Sequence, residues 1–156
     1  MTAGTRVGTL SASERVQRVR ARSWALQVLY AWESTTPHRP LEDAMEDVFR
    51  TRRVAPTRKP FIRRHLALVK DHLPEIDRAL RDAMENWRLE RLSRVDRSVL
   101  RLATAELLFA EETPQKVALQ EGVRLAGQYG GDDSHRFVNG VLDAVYRANP
   151  RKTPSS

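Results

Sequence analysis

No cysteine occurs anywhere in the sequence, so neither a disulfide nor a thiolate metal site is open to it. Glycine is scarce where it would matter most: it stands at positions 4, 8, 122, 127, 130, 131 and 140, and nowhere between 9 and 121. So long a stretch without glycine, broken only by prolines, is poorly suited to tight β-hairpins and well suited to helices joined by short loops. Neither an alternating strand pattern nor an internal repeat opposes that reading. Purely apolar runs extend only a few residues, which excludes a membrane-crossing helix and a signal peptide, and the expectation is a soluble cytoplasmic protein. Catalytic signatures are missing too. The segment Gly122-Val-Arg-Leu-Ala-Gly127 has the glycine spacing of a phosphate loop, but Gln128 stands where lysine is required. It also falls inside a helical pattern, where small-residue packing is the better account. Of the histidines His38, His65, His72 and His135, only His65 and His72 can share a helix face, and no third ligand is spaced to join them. No metal and no cofactor is expected, and the chain reads as a binding protein rather than an enzyme.

What is present is arginine. The formal charge is +7 with a pI of about 10.5. The excess is confined to one half: residues 1–72 carry 14 Lys+Arg against 7 Asp+Glu, whereas residues 73–156 carry 13 against 13. Its densest part is Arg15-Val-Gln-Arg18-Val-Arg20-Ala-Arg22, which contains no carboxylate. Arg15, Arg18 and Arg22 fall at i, i+3 and i+7, so a helix stacks three guanidiniums on one face, with Arg20 turned away. Trp24, Val28 and Ala31 can anchor another face of that helix. Like charges this close repel unless a polyanion or nearby carboxylates offset them. The two readings are an RNA-binding edge and a solvated, salt-bridged face. Arg50, Arg52, Arg53, Arg58, Lys59, Arg63 and Arg64 make a second basic cluster to which the sequence assigns no role.

The helical pattern predicts elements from Ser13 to Glu33, Leu41 to Arg53, Pro60 to His72, Pro74 to Trp87, Ser93 to Ala110, Pro114 to Tyr129 and His135 to Ala148. Pro74 makes a break or a kink. Residues 1–12 and 150–156 read as disordered tails around a single all-α domain over 13–149. Within the most hydrophobic helix, Val95, Val99, Leu102 and Ala103 share an inner stripe with Glu106, whose carboxylate there needs an arginine or backbone partner. The helix from Pro114 is expected to turn Ala118, Gly122, Leu125 and Tyr129 inward. Asp132-Asp133-Ser134-His135-Arg136-Phe137-Val-Asn139-Gly140 gathers acid, cation, amide and aromatic groups at a helix start. Phe137 there is either core, continuing into Val141 and Ala144, or a platform for a base. Asp133 or Asn139 could read a base edge in a single strand.

Three segments together resemble the NusB family of bacterial transcription antitermination factors. They are Arg20 to Tyr30; Trp87 to Leu107; and Pro114 to Gly130, continuing through Phe137-Val-Asn-Gly-Val-Leu-Asp143. The resemblance covers roughly residues 14–148. It implies two three-helix bundles set roughly at right angles. It also implies binding of single-stranded boxA RNA in nascent ribosomal RNA transcripts with the ribosomal protein NusE, as part of an RNA polymerase antitermination complex with other Nus factors. Carried over by position, the RNA-binding residues are Arg18, Arg20, Arg22 and Gln27 on the first helix and Asp133, Ser134, Arg136 and Phe137 at the last. The NusE-binding residues are Tyr30, Glu90 and Asp96. Val19 interrupts what is a more continuous basic run in some members. Gln120 and Gly122 stand where Asn and Ala are common, which bears chiefly on helix packing. Two alternatives remain at this point: the NusB-like RNA-binding domain of a ribosomal RNA cytosine methyltransferase, which needs a further cofactor-binding domain not found before Ser156, and a helical protein-interaction adaptor. Monomer and homodimer are both left open.

Overall fold

The computed structural model describes residues 10–35 and 37–151, all of them helical or in connecting turns. The expected tails fall largely outside the described residues. Helix α1 (Ala12–Glu33) begins at a capping box: Ser11 Oγ accepts from the Glu14 N–H at 3.1 Å and the Glu14 carboxylate accepts from the Ser11 N–H at 3.0 Å. Helix α2 (Leu41–Thr51) turns Leu41, Ala44 and Met45 inward and ends before a short 3-10 turn at Pro56–Arg58. The two segments expected around Pro74 form one helix, α3 (Lys59–Ala83), bent at His72, where φ −122° and ψ 19° leave helical geometry. Pro74 lacks an N–H and its ring crowds the preceding turn, so the helix bends instead of breaking. The His72 ring stacks on Phe109 at 3.8 Å between centroids, which holds the bend against the next helix.

Helix α4 (Arg94–Phe109) starts at Ser93, whose hydroxyl accepts from the Asp96 N–H at 3.1 Å. It is the central element, packed against α1, α3, α5 (Gln115–Tyr129) and α6 (Ser134–Ala148). That position explains its hydrophobicity: Val99, Leu100, Leu102, Ala103, Ala105 and Leu107 are all buried. At about 1.5–3 kcal/mol for each large apolar side chain removed from water, this helix carries much of the core. The architecture is the expected pair of three-helix bundles, α1–α3 and α4–α6.

Small residues set the spacing of the second bundle. A Cβ on Gly122 would lie 2.6 Å from Leu142 Cδ1 and 2.7 Å from Ala103 Cβ, so α5 meets α4 and α6 at a distance only glycine permits. Gly122 of the phosphate-loop-like segment is therefore a packing device, whereas a Cβ on Gly127 would meet His135 Cβ at 3.6 Å, an ordinary contact. Tyr129, expected inside, is exposed at the end of α5. Arg151, two residues past the expected domain end at 149, bonds to this body. Arg151 donates to the carbonyls of Ala110 and Thr113 at 2.9 Å each and to those of Glu106 and Leu107, satisfying the open end of α4.

Candidate nucleic-acid interface

The arginine-rich half of α1 divides by depth. Its outer stripe runs Val16, Arg20, Ser23, Gln27 and Tyr30 at spacings of three and four, none of them buried, whereas Ala21, Arg22, Ala25, Leu26, Val28 and Leu29 are buried. Arg20 and Gln27 therefore share one face, and Tyr30 continues it to about 15 Å from Arg20 along the axis. Arg18 lies on another side, half-buried, its guanidinium 5.4 Å from the Phe61 ring centroid.

Arg22 corrects the sequence expectation. It is 4% exposed and is committed inside the protein. Its Nε donates to both Glu106 oxygens at 2.9 and 3.1 Å, its Nη2 to Glu106 Oε2 at 2.6 Å, and its Nη1 to Glu121 at 3.4 Å. The heptad spacing that aligns Arg22 with Arg15 and Arg18 says nothing of depth: α3 and α4 cover the helix where Arg22 stands, with its guanidinium 5.1 Å from the Phe61 ring centroid, and α5 adds Glu121. Glu106 thus has the arginine its position demands. His65 Nε2 lies 3.2 Å from Glu106 Oε2, off the line of a well-directed hydrogen bond, while Nδ1 is 3.2 Å from the Phe61 carbonyl oxygen. Burial pushes the Glu106 carboxyl up, but His65 and the Arg22 guanidinium outweigh it and hold it at about 2.

The α6 end also sorts by burial. Asp133 and Arg136 are exposed, and the Asp133 side chain does not cap the helix it precedes. Ser134, expected to touch RNA, is 7% exposed, and its Oγ accepts from the Gly131 N–H at 2.9 Å. Its hydroxyl thereby holds the loop that presents Asp133, and the structure places Ser134 beneath that loop where the sequence expectation has it at the RNA. Phe137 resolves its two readings halfway. It packs partly on the core, and its ring meets Trp87 edge-on at 5.4 Å and 66°, with Trp87 61% exposed. Sequence pattern gives Trp87 no role. An aromatic far along the chain cannot be paired with Phe137 until α3 and α6 lie side by side.

Hydrogen bonds and packing link the two ends. Arg124 Nη2 on α5 donates to the Val19 carbonyl at 3.4 Å, Arg124 Nη1 donates to Gln128 at 2.9 Å, and Gly127 backs onto His135. Arg124 is paired with Glu121 on its own helix, Nε donating to both carboxylate oxygens at 3.2 and 3.1 Å, so it ties α5 to α1 at Val19 as an ion-paired strut.

At the opposite end of α1, Tyr30 is 42% exposed. Glu90 is exposed, and Arg81, donating to it at 3.0 Å, holds its carboxyl below the usual range. Asp96 is half-buried in the first turn of α4, where the helix N-terminus favours a carboxylate. Beneath them Glu33 is buried: Arg97 donates to one oxygen, Arg101 Nη1 is ion-paired with that same oxygen at 3.1 Å, and Ser98 Oγ donates to the other at 2.6 Å. Arg97 Nη1 also reaches the carbonyls of Leu89, Glu90 and Leu92 at 3.4 Å each, tying the turn that carries Glu90 to α4. Arg101 pairs in addition with Asp77 through two bonds of 2.9 and 3.0 Å. No helix among the described residues is long and apolar enough to cross a membrane.

Comparison with known proteins agrees with this geometry. The sequence model of the NusB family matches residues 19–147. The transcription antitermination protein NusB of Pseudothermotoga lettingae is 43% identical over 108 residues, 69% of this chain and 76% of that protein. The solved structure of T. maritima NusB superposes with a TM-score of 0.78 at 34% identity, covering 86% of this chain and 93% of that one. A crystal structure of the antitermination factors NusB and NusE in complex with double-stranded RNA matches with a TM-score of 0.75 at 27% identity, covering 85% and 98%.

Proposed function

We propose, for a chain that belongs to the NusB family, a role in transcription antitermination by scaffolded RNA recognition. The chain binds boxA RNA of nascent ribosomal RNA transcripts together with the ribosomal protein NusE, and the pair nucleates an antitermination complex on RNA polymerase with other Nus factors. It acts in the cytoplasm, where transcripts are made. The observation that carries this reading is the outer stripe of α1, which runs from Arg20 through Gln27 to Tyr30 without a buried residue. One helix face thereby joins Arg20, suited to a phosphate, to an end where Glu90 and Asp96 offer carboxylates to a basic protein. A single strand laid along it would bridge both partners.

Each group has a distinct task. Arg18 and Arg20 neutralise phosphates and release counterions, a contribution that sets affinity but not sequence. Arg136 extends the track at α6. The Phe137–Trp87 pair supplies a ring on which a base can stack, and Asp133 can accept from the edge of an unpaired base. Tyr30, Glu90 and Asp96 form the protein-binding end.

The test is boxA binding with NusE present, measured across salt concentrations. Arg18→Ala combined with Arg20→Ala is expected to weaken binding by about 10- to 100-fold and to lower the slope of log K against log salt by about 2, roughly one unit for each phosphate that is no longer neutralised. Affinity and slope both unchanged would remove α1 from the interface.

A further inference from the structure

We propose that the groove between the first turns of α1 and the start of α3 binds the phosphodiester backbone of RNA flanking the recognised element, so that the RNA track is longer than boxA. The inference rests on the RNA-binding reading above and extends it to part of the second basic cluster, to which neither the sequence pattern nor the family resemblance gives a role.

Three guanidiniums from three separate segments converge on this groove of about 280 Å³: Arg18 from α1, Arg58 from the 3-10 turn and Arg64 from α3. Each is oriented by something other than a carboxylate. Arg18 and Arg64 lie 5.4 and 5.9 Å from the centroid of the buried Phe61 ring. Arg58 Nε donates at 2.8 Å to Gln17 Oε1, which also accepts from Thr57 Oγ1 at 3.4 Å. The Arg58 terminal nitrogens have no partner among the described residues, and none of the three arginines has a carboxylate within 4 Å there. Glu14 is the one carboxylate lining the groove, and it is engaged in the Ser11 capping box, whose backbone and side-chain bonds pull its carboxyl below the usual range. Three fixed cations against one occupied anion leave a net positive pocket, and bringing like charges together favours an anionic ligand that offsets them.

The kind of anion follows from what the groove contains and where it lies. Arg18 lines the groove from the side of α1 turned away from Arg20, so a strand that leaves the outer stripe and wraps the first turns of α1 meets Arg18, Arg58 and Arg64 together. Two neighbouring cations are held the same way, Arg52 just after α2 over Trp24 at 5.4 Å and Lys59 at the start of α3 over Phe49 at 5.1 Å. The Phe61 ring is covered by guanidiniums and is not open to a base. Contact is therefore with phosphate alone and tolerant of sequence.

The experiment compares the full chain with an Arg58→Gln/Arg64→Gln variant, NusE present throughout. The RNAs are the boxA element alone and the same element extended on either side by flanks of two unrelated sequences. Titrations are repeated across salt concentrations. Wild type is expected to bind one of the extended RNAs about tenfold more tightly than the bare element, whichever flank sequence is used. The variant is expected to bind the bare element as wild type does, to lose that gain, and to show a salt slope on the extended RNA lower by about 1 to 2. Four results overturn the inference: no gain on extension in wild type, an unchanged gain in the variant, a gain confined to one flank sequence, or equal losses on bare and extended RNA. Binding of neither RNA by wild type would take down the RNA reading itself, whereas the other failures leave it standing. Arg64→Glu alone, at an exposed position, gives the same readouts should the double variant not fold.

Discussion

Glu106→Ala is expected to lower the free energy of unfolding by about 3–5 kcal/mol, as read by urea denaturation. The cost comes from what is left behind: Arg22, with its side chain almost fully buried, and His65, wholly buried, would lose the carboxylate between them. Replacing the pair as a unit should behave differently. Arg22→Met with Glu106→Leu removes both charges and is expected to recover most of the loss, because the desolvation cost disappears with the attraction. That double variant should also bind boxA RNA as wild type does, since Arg22 faces the core. A folded double variant with weakened RNA binding would return Arg22 to the interface. The same carboxylate shapes the acid limb of stability. Its pKa in the folded chain, about 2, lies below its ordinary 4.5, so its stabilisation is complete above pH 4.5 and is lost as pH falls through 2. The stake is about 3 kcal/mol at 1.36 kcal/mol for each pKa unit. Unfolding midpoints of wild type and Glu106→Gln should therefore differ at neutral pH and converge toward pH 2. A constant difference across that window would refute the linkage.

Glu33→Ala is the second large effect, expected at about 3 kcal/mol. Glu33 is as buried as Glu106, but its partners are better provided for: Arg101 keeps Asp77, and Arg97 sits near enough to the surface to reach water. Function should suffer where stability does not explain it. Without Glu33, Arg97 loses the anchor that holds its guanidinium under the carbonyls of Leu89, Glu90 and Leu92. The turn bearing Glu90 should then loosen. We expect NusE binding by Glu33→Ala, measured well below its unfolding midpoint, to fall about tenfold, the equivalent of about 1.4 kcal/mol. RNA binding at the arginine end of α1, about 20 Å away along the helix, should keep its salt slope. Stability within about 0.5 kcal/mol of wild type, the usual range for surface substitutions, would mean that Glu33 does not hold α1 to α4.

These two carboxylates also divide what a chain can disclose from what it cannot. Glu106 is legible as a problem: an acid on the stripe of Val99, Leu102 and Ala103 requires a partner, and the structure supplies one. Which arginine answers is not legible, because Arg22 stands 84 positions away and looks like its neighbours Arg18 and Arg20. Ser134 reads as a ligand contact for the same reason, since nothing local shows that Gly131 claims its hydroxyl. Trp87 and the Arg18–Arg58–Arg64 groove do not stand out as sites in the sequence, because each is made by packing between helices distant in the chain.

The sequence by itself determined the class of fold, most helix boundaries to within a few residues apart from the join at His72 and the end at Ala83, the glycine-free helical body and the family. Those properties come from local rules of periodicity, caps and breakers, and from motif order. Only the tertiary structure decided which cations of the arginine cluster face solvent. Periodicity places side chains on a face, but exposure depends on what covers that face, and α3 and α4 cover Arg22 while leaving Arg20 in water.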